Sequence, residues 1–79
     1  MKQHRQWWSI RISGYGSFAF FGTRTEADQT CAAKAEWEGG RGAVRSATPK
    51  EIDVEKDHLL WKLENGYPLT DNQLEALKS

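Results

Sequence analysis

Seventy-nine residues leave room for one domain, near the lower size limit for unaided folding. Hydrophobic residues at 38% and charged residues at 28% are the proportions of a globular chain and are too apolar for a disordered one. Eleven Lys/Arg against eleven Asp/Glu cancel to zero, which argues against a dedicated, strongly basic nucleic-acid binder.

The single cysteine, Cys31, excludes an internal disulfide and sits among alanines as a small buried apolar residue. The first six residues, Met1 to Gln6, read as a flexible terminus without the apolar run of a signal peptide, and no stretch is long enough to span a bilayer. The expected compartment is the cytoplasm. Four Trp, three Phe and two Tyr are many for so short a chain, and each can bury roughly 150–250 Å² to compensate for a small core.

Residues 7–13 alternate Trp8, Ile10 and Ile12 with Trp7, Ser9 and Arg11, a period-2 strand. Gly14-Tyr15-Gly16 then turns the chain into a second strand, Ser17-Phe18-Ala19-Phe20-Phe21. A three-residue loop, with Gly16 supplying the positive φ, collects Trp8, Ile10, Ile12, Phe18 and Phe20 on one face. In that register Ile12 faces Phe18 and Ile10 faces Phe20. The other face carries Trp7, Ser9, Arg11, Ala19 and Phe21; it is either an open, half-polar surface or is covered by the C-terminal helices.

Thr23 and Thr25 are alternative N-caps for a helix running from about residue 25 to Glu38, and Gly39-Gly40 ends it. Its stripe of Ala27, Cys31 and Ala35 is small enough to lie close to the sheet. Ala43-Val44-Arg45-Ser46 forms a third strand. Thr48, Pro49 and Glu51 are N-cap, N1 and N3 of a second helix. Ile52, Leu59, Leu60 and Leu63 form its buried stripe, with Val54, His58 and Trp61 beside it. Gly66 and Pro68 stop that helix, and Thr70 with Gln73 starts the last one. The expected fold is α+β: a small antiparallel three-stranded sheet, built from a hairpin plus one strand, with three helices in the order ββαβαα. Residues 1–79 make one domain.

Catalytic chemistry is not assembled by these residues. His4, His58 and Cys31 lack any metal-ligand spacing, and no Ser or Cys has a base and an orienting acid at a motif distance. The expectation is a non-enzymatic protein without metal or cofactor. Asp53 and Asp57 share one helix face at i, i+4, as do Glu51 and Glu55, and both pairs read as a solvated acidic face. Charge is divided along the chain. Residues 1–50 carry eight Lys/Arg against four acids, a surplus of +4, and residues 51–79 carry three against seven, a deficit of −4. The halves either face different partners or complement each other in the fold. Arg11, Arg41 and Arg45 with Trp7 and Phe21 make the combination of cations and stacking rings used in single-strand recognition.

The runs Trp8-Ser9-Ile10-Arg11-Ile12, Gly14-Tyr15-Gly16, Phe20-Phe21-Gly22-Thr23, Glu26-Ala27, Lys34-Ala35, Trp37-Glu38-Gly39 and Ala47-Thr48-Pro49 resemble small uncharacterised proteins of phages and prophages of proteobacteria. The resemblance covers roughly residues 7–50 and rests on turn, cap and core residues, so it implies a fold more than an activity. Small phage proteins of this size include anti-CRISPR proteins, many of which occlude a surveillance complex stoichiometrically. This chain is similar to them in size and lack of a catalytic site, but its neutral charge departs from the acidic DNA mimics among them.

The resemblance implies a phage-encoded inhibitor of a host protein or ribonucleoprotein complex, a CRISPR-Cas effector, acting on its DNA-binding surface. The expected contacts are Trp7 and Arg11 on the open sheet face, Arg41 and Arg45 at its edge, and Tyr15 at the hairpin tip. Asp53 and Asp57 are the alternative, suited to a basic DNA channel. A small nucleic-acid-binding module is the second reading, and a homodimer burying Trp7 and Phe21 between monomers is the third.

Overall fold

The computed structural model describes residues 4–79. Three antiparallel strands, β1 (Gln6–Ile12), β2 (Gly16–Gly22) and β3 (Gly42–Ser46), form one sheet in the order β2-β1-β3. Three helices, α1 (Arg24–Glu38), α2 (Pro49–Glu64) and α3 (Asp71–Lys78), complete the order ββαβαα of a mixed α+β domain. Met1, Lys2 and Gln3, half of the expected flexible terminus, lie outside the described residues. Of the other half, Arg5 donates to Glu75 of α3 at 2.9 Å, and Gln6 is paired with Gly22 at the start of β1.

The β1–β2 loop has three residues, as expected, but they are Ser13 to Tyr15 and not Gly14 to Gly16; the five apolar side chains do share one face. The pairing, however, is Ile12↔Gly16, Ile10↔Phe18 and Trp8↔Phe20, two residues from the expected register. A slip of two preserves every facing because side chains alternate with period 2, so burial could not distinguish the registers. Turn chemistry decides. Gly14 as well as Gly16 takes a positive φ (79° and 127°), and Tyr15 N–H returns to the Ile12 carbonyl at 3.1 Å, closing the loop tightly.

Helix α1 covers the Trp8–Ile10–Ile12 face. Thr23, not Thr25, caps it: Thr23 Oγ1 accepts from Glu26 N–H at 3.1 Å, and Glu26 Oε1 accepts from Thr23 N–H at 2.8 Å. Ala27 and Cys31 are buried in one cluster with Ile10 and Ile12, and Trp8, Phe18, Phe20, Ala35 and Val44 surround them. The approach is close enough that a Cβ on Gly42 would run into Cys31 Sγ, which is why β3 begins on glycine.

Helices α2 and α3 cover the opposite face. Trp7, Ala19, Leu59 and Ala76 form this second core, with Phe21, Ala47, Ile52, Leu69 and Leu77 packed around it. The molecule therefore has three layers, with the sheet in the middle. The expected buried stripe of α2 is only half realised: Ile52 and Leu59 turn inward, while Leu60 and Leu63 remain exposed. Leu60 stands about 100° round the helix from Leu59, toward the outer side; for Leu63 the cause is length. Sixteen residues make a helix about 24 Å long, whereas three strands about 4.8 Å apart span only about 10 Å between outer axes. Helix α2 starts beside β3, meets β1 through Glu51 and Ser9, and overhangs the β2 edge.

Candidate interaction surfaces

The sheet face expected to be open is closed. Trp7 is only 9% exposed, packs edge-on against Phe21 with ring centroids 5.4 Å apart, and donates from Nε1 to Ser79 Oγ at 3.1 Å. It is a core residue, so neither a partner nor a second copy meets it in this fold. Arg45 is also committed. Its guanidinium reaches Glu51 at 3.4 Å and the Ser46 carbonyl at 3.1 Å, joining β3 to the start of α2. With Arg5–Glu75, this is one of two ion pairs that, among the described residues, tie the basic half to the acidic half. The complementing-halves reading thus accounts for part of the charge division.

The remaining basic candidates, Arg11 and Arg41, lie at one end of the molecule, with Arg11 leaving β1 on the face opposite α1 because it alternates with Ile10 and Ile12. Ser13 N–H donates to the Arg41 carbonyl at 2.9 Å, which pins the hairpin tip to the α1–β3 loop. Arg11, Tyr15 and Arg41 are all exposed there, and among the described residues neither Arg11 nor Arg41 is in an ion pair. Two residues of α1 that the sequence reading passed over complete this end. Lys34 Nζ lies 4.3 Å from the Tyr15 ring centroid, and Trp37 is 83% exposed. Tyr15 also meets Phe18 edge-on at 6.4 Å, so its ring is held by a packed neighbour.

A second surface lies on the outside of α2. Val54, Asp57 and Trp61 follow one another at i, i+3 and i+7, pointing away from buried Leu59, and Asp53, Leu60 and Glu64 flank them. Trp61 is 52% exposed, yet it is not loose: Tyr67 stacks on it at 5.5 Å with ring planes 21° apart. The reversal after α2 makes this stack, because Tyr67 N–H returns to the Lys62 carbonyl at 2.9 Å and Gly66 takes φ 78°. Asp53 and Asp57 are the predicted acidic pair in its expected solvated position.

Glu51 and Glu55, which share a different face of the helix and were also expected to be solvated, turn toward the sheet instead. Glu51 Oε2 accepts from the buried Ser9 hydroxyl at 2.6 Å, while Oε1 accepts from Thr48 N–H at 3.0 Å. These hydrogen bonds, the Ser9 one foremost, hold the Glu51 carboxyl down at about 2. Burial pushes Glu55 the other way, above the ordinary glutamate value, despite His58 at 3.7 Å and Lys62. Both line a groove of about 250 Å³ between β2 and α2, with Phe18, Val54 and Lys50. Both carboxylates have partners within the fold, Glu51 in Ser9, Thr48 and Arg45, and Glu55 in His58. Among the described residues no three His, Cys, Asp or Glu side chains are placed to hold a metal ion, and no helix is long and apolar enough to cross a membrane.

Sequence reasoning missed Lys34, Trp37 and the Trp61–Tyr67 stack. The i, i+3 spacing of Lys34 and Trp37, off the Ala27–Cys31–Ala35 stripe, was the available signal for the first two. The stack depends on the path of the α2–α3 reversal; Gly66 and Pro68 signal that the helix stops, but not that Tyr67 folds back onto Trp61. No protein-family model, curated protein or solved structure matches the chain.

Proposed function

We propose that the chain is a non-enzymatic binding protein that inhibits a host defence complex, a CRISPR-Cas effector by the resemblance described above. It seats the outer face of α2 on the basic surface where that complex holds DNA. The observation that carries this reading is the composition of that face: Asp53 and Asp57 beside exposed Val54, Leu60 and Trp61. Acids alone on a helix are ordinary solvated groups. Acids interleaved with a tryptophan already fixed by Tyr67 give a complementary field together with a preorganised apolar anchor, the pairing that produces hot spots. The version using the sheet face loses its aromatic anchor, since Trp7 belongs to the core.

The test is target-DNA binding by a panel of purified CRISPR-Cas effectors, followed by gel mobility with increasing protein. Stoichiometric loss of DNA binding is expected with one of them. Trp61→Ala should weaken inhibition about 30-fold, the equivalent of a 2 kcal/mol hot spot, and Asp57→Lys should abolish it. Arg11→Glu should change nothing. Inhibition that survives Asp57→Lys and Trp61→Ala, or effectors that bind DNA unchanged at tenfold molar excess, would overturn the proposal.

A further inference from the structure

The end of the molecule formed by the hairpin tip, the last turns of α1 and the α1–β3 loop has a different chemistry from α2. It presents two aromatic rings, Tyr15 and Trp37, of which Trp37 is the more exposed. Beside them stand Lys34 and Arg41, whereas Arg11 leaves β1 on the sheet face opposite α1; the acids on the same end are Glu36 and Glu38, and Glu38 is paired with Lys34 at 3.5 Å. Trp37 and Lys34 line one open groove on α1 with Thr30 and Ala33. That groove has no large aliphatic side chain and no enclosed pocket for a protein anchor. What it offers is a ring face and cations.

We infer that this end binds single-stranded nucleic acid, with Trp37 and Tyr15 stacking on bases and Lys34 and Arg41 contacting phosphates. Base faces are accessible to rings only when a strand is unpaired, so the aromatic component selects single strands over duplex. The charge layout confines the ligand to this end, because Asp53, Asp57 and Glu64 on the outside of α2 repel phosphate. The inference does not rest on the α2 reading; a molecule with both surfaces would hold a strand at one end and a basic protein surface at the other.

The experiment is fluorescence anisotropy of fluorescein-labelled dT12 and rU12 titrated with the full chain at 50 and 200 mM salt, with a 12-base-pair duplex alongside. Two phosphate contacts on a single strand give a salt slope of about −1.4, so affinity should fall about 7-fold between the two salt concentrations. Trp37→Ala should weaken binding about 5- to 150-fold, as loss of a stacked base does. Arg41→Glu should weaken it and flatten the salt slope. Both positions are exposed, and circular dichroism should show the fold unchanged. Asp57→Lys and Trp61→Ala should not weaken it, which separates failure of this inference from failure of the inhibitor reading. The ratio of dT12 to rU12 affinity identifies the natural strand as DNA or RNA. No anisotropy change at about 100 μM protein and 50 mM salt overturns the inference. So does equal affinity for the duplex with no loss in Trp37→Ala, which would leave only non-specific charge attraction.

Discussion

Replacing Glu51 by glutamine tests how the second helix is fastened to the sheet. In the wild type one carboxylate closes the capping box with Thr48, accepts from the buried Ser9 hydroxyl and meets Arg45. These partners lower its folded value from the ordinary 4.5 to about 2. Because the folded value is depressed, the ionised group stabilises the fold above the unfolded value, and this contribution is lost as pH falls through the folded one. A difference of about 2.5 units at ~1.36 kcal/mol per unit amounts to about 3 kcal/mol at pH 7. The same relation leaves less than half of it at pH 3, and almost none at pH 2. Glutamine keeps the size and one acceptor oxygen, so Glu51→Gln should be about 2 kcal/mol less stable than wild type at pH 7. In urea unfolding followed by tryptophan fluorescence at pH 7, 5, 4 and 3, the gap between the two proteins should hold to about pH 5 and then close. A gap independent of pH from 7 to 3 would refute the argument, since the loss would then be one of shape rather than charge.

Glu55→Gln should act in the opposite sense. Burial raises the Glu55 folded value, so ionisation at neutral pH opposes folding, and the amide should match or exceed wild-type stability at pH 7, with the advantage shrinking below the unfolded value in the same urea experiment. Trp7→Ala removes a core ring and leaves a cavity against Leu59 and Ala76; a cost of about 3–5 kcal/mol would consume most of the stability of so small a domain, and far-UV circular dichroism should show a largely unfolded chain at 25 °C. Gly42→Ala forces a methyl onto Cys31 Sγ and should cost about 1–3 kcal/mol, whereas adding Cys31→Ala should recover part of it, a coupling that thermal unfolding of the double-mutant cycle would reveal.

The capping boxes of α2 and α3 and the small-residue stripe of α1 were legible in the sequence because each is set by residues a turn or so apart, whereas the cap of α1 stayed open between Thr23 and Thr25. Thr48-Pro49-Lys50-Glu51 and Thr70-Asp71-Asn72-Gln73 satisfy orphan N–H groups locally, whatever lies beyond them. The facing of the hairpin was equally readable, since alternation in Trp8–Ile12 and Phe18–Phe20 permits only one buried side. Its register was not, because a two-residue slip costs nothing in facing and is decided by the backbone of Gly14 and Gly16.

What lies over the second sheet face was a question of packing between segments more than thirty residues apart. Trp7 and Phe21 could have ended as a binding surface, but α2 and α3 bury the apolar area they would otherwise expose to water. The same packing sorted four alternating acids into two kinds. Glu51 and Glu55 lie on the side of α2 that meets the sheet, and Asp53 and Asp57 on the side that meets solvent. Composition supplied aromatics and charges in number. Only the placement of helices against the sheet decided which became core and which remained free to meet a partner, because burial is a property of the assembled layers and not of any one segment.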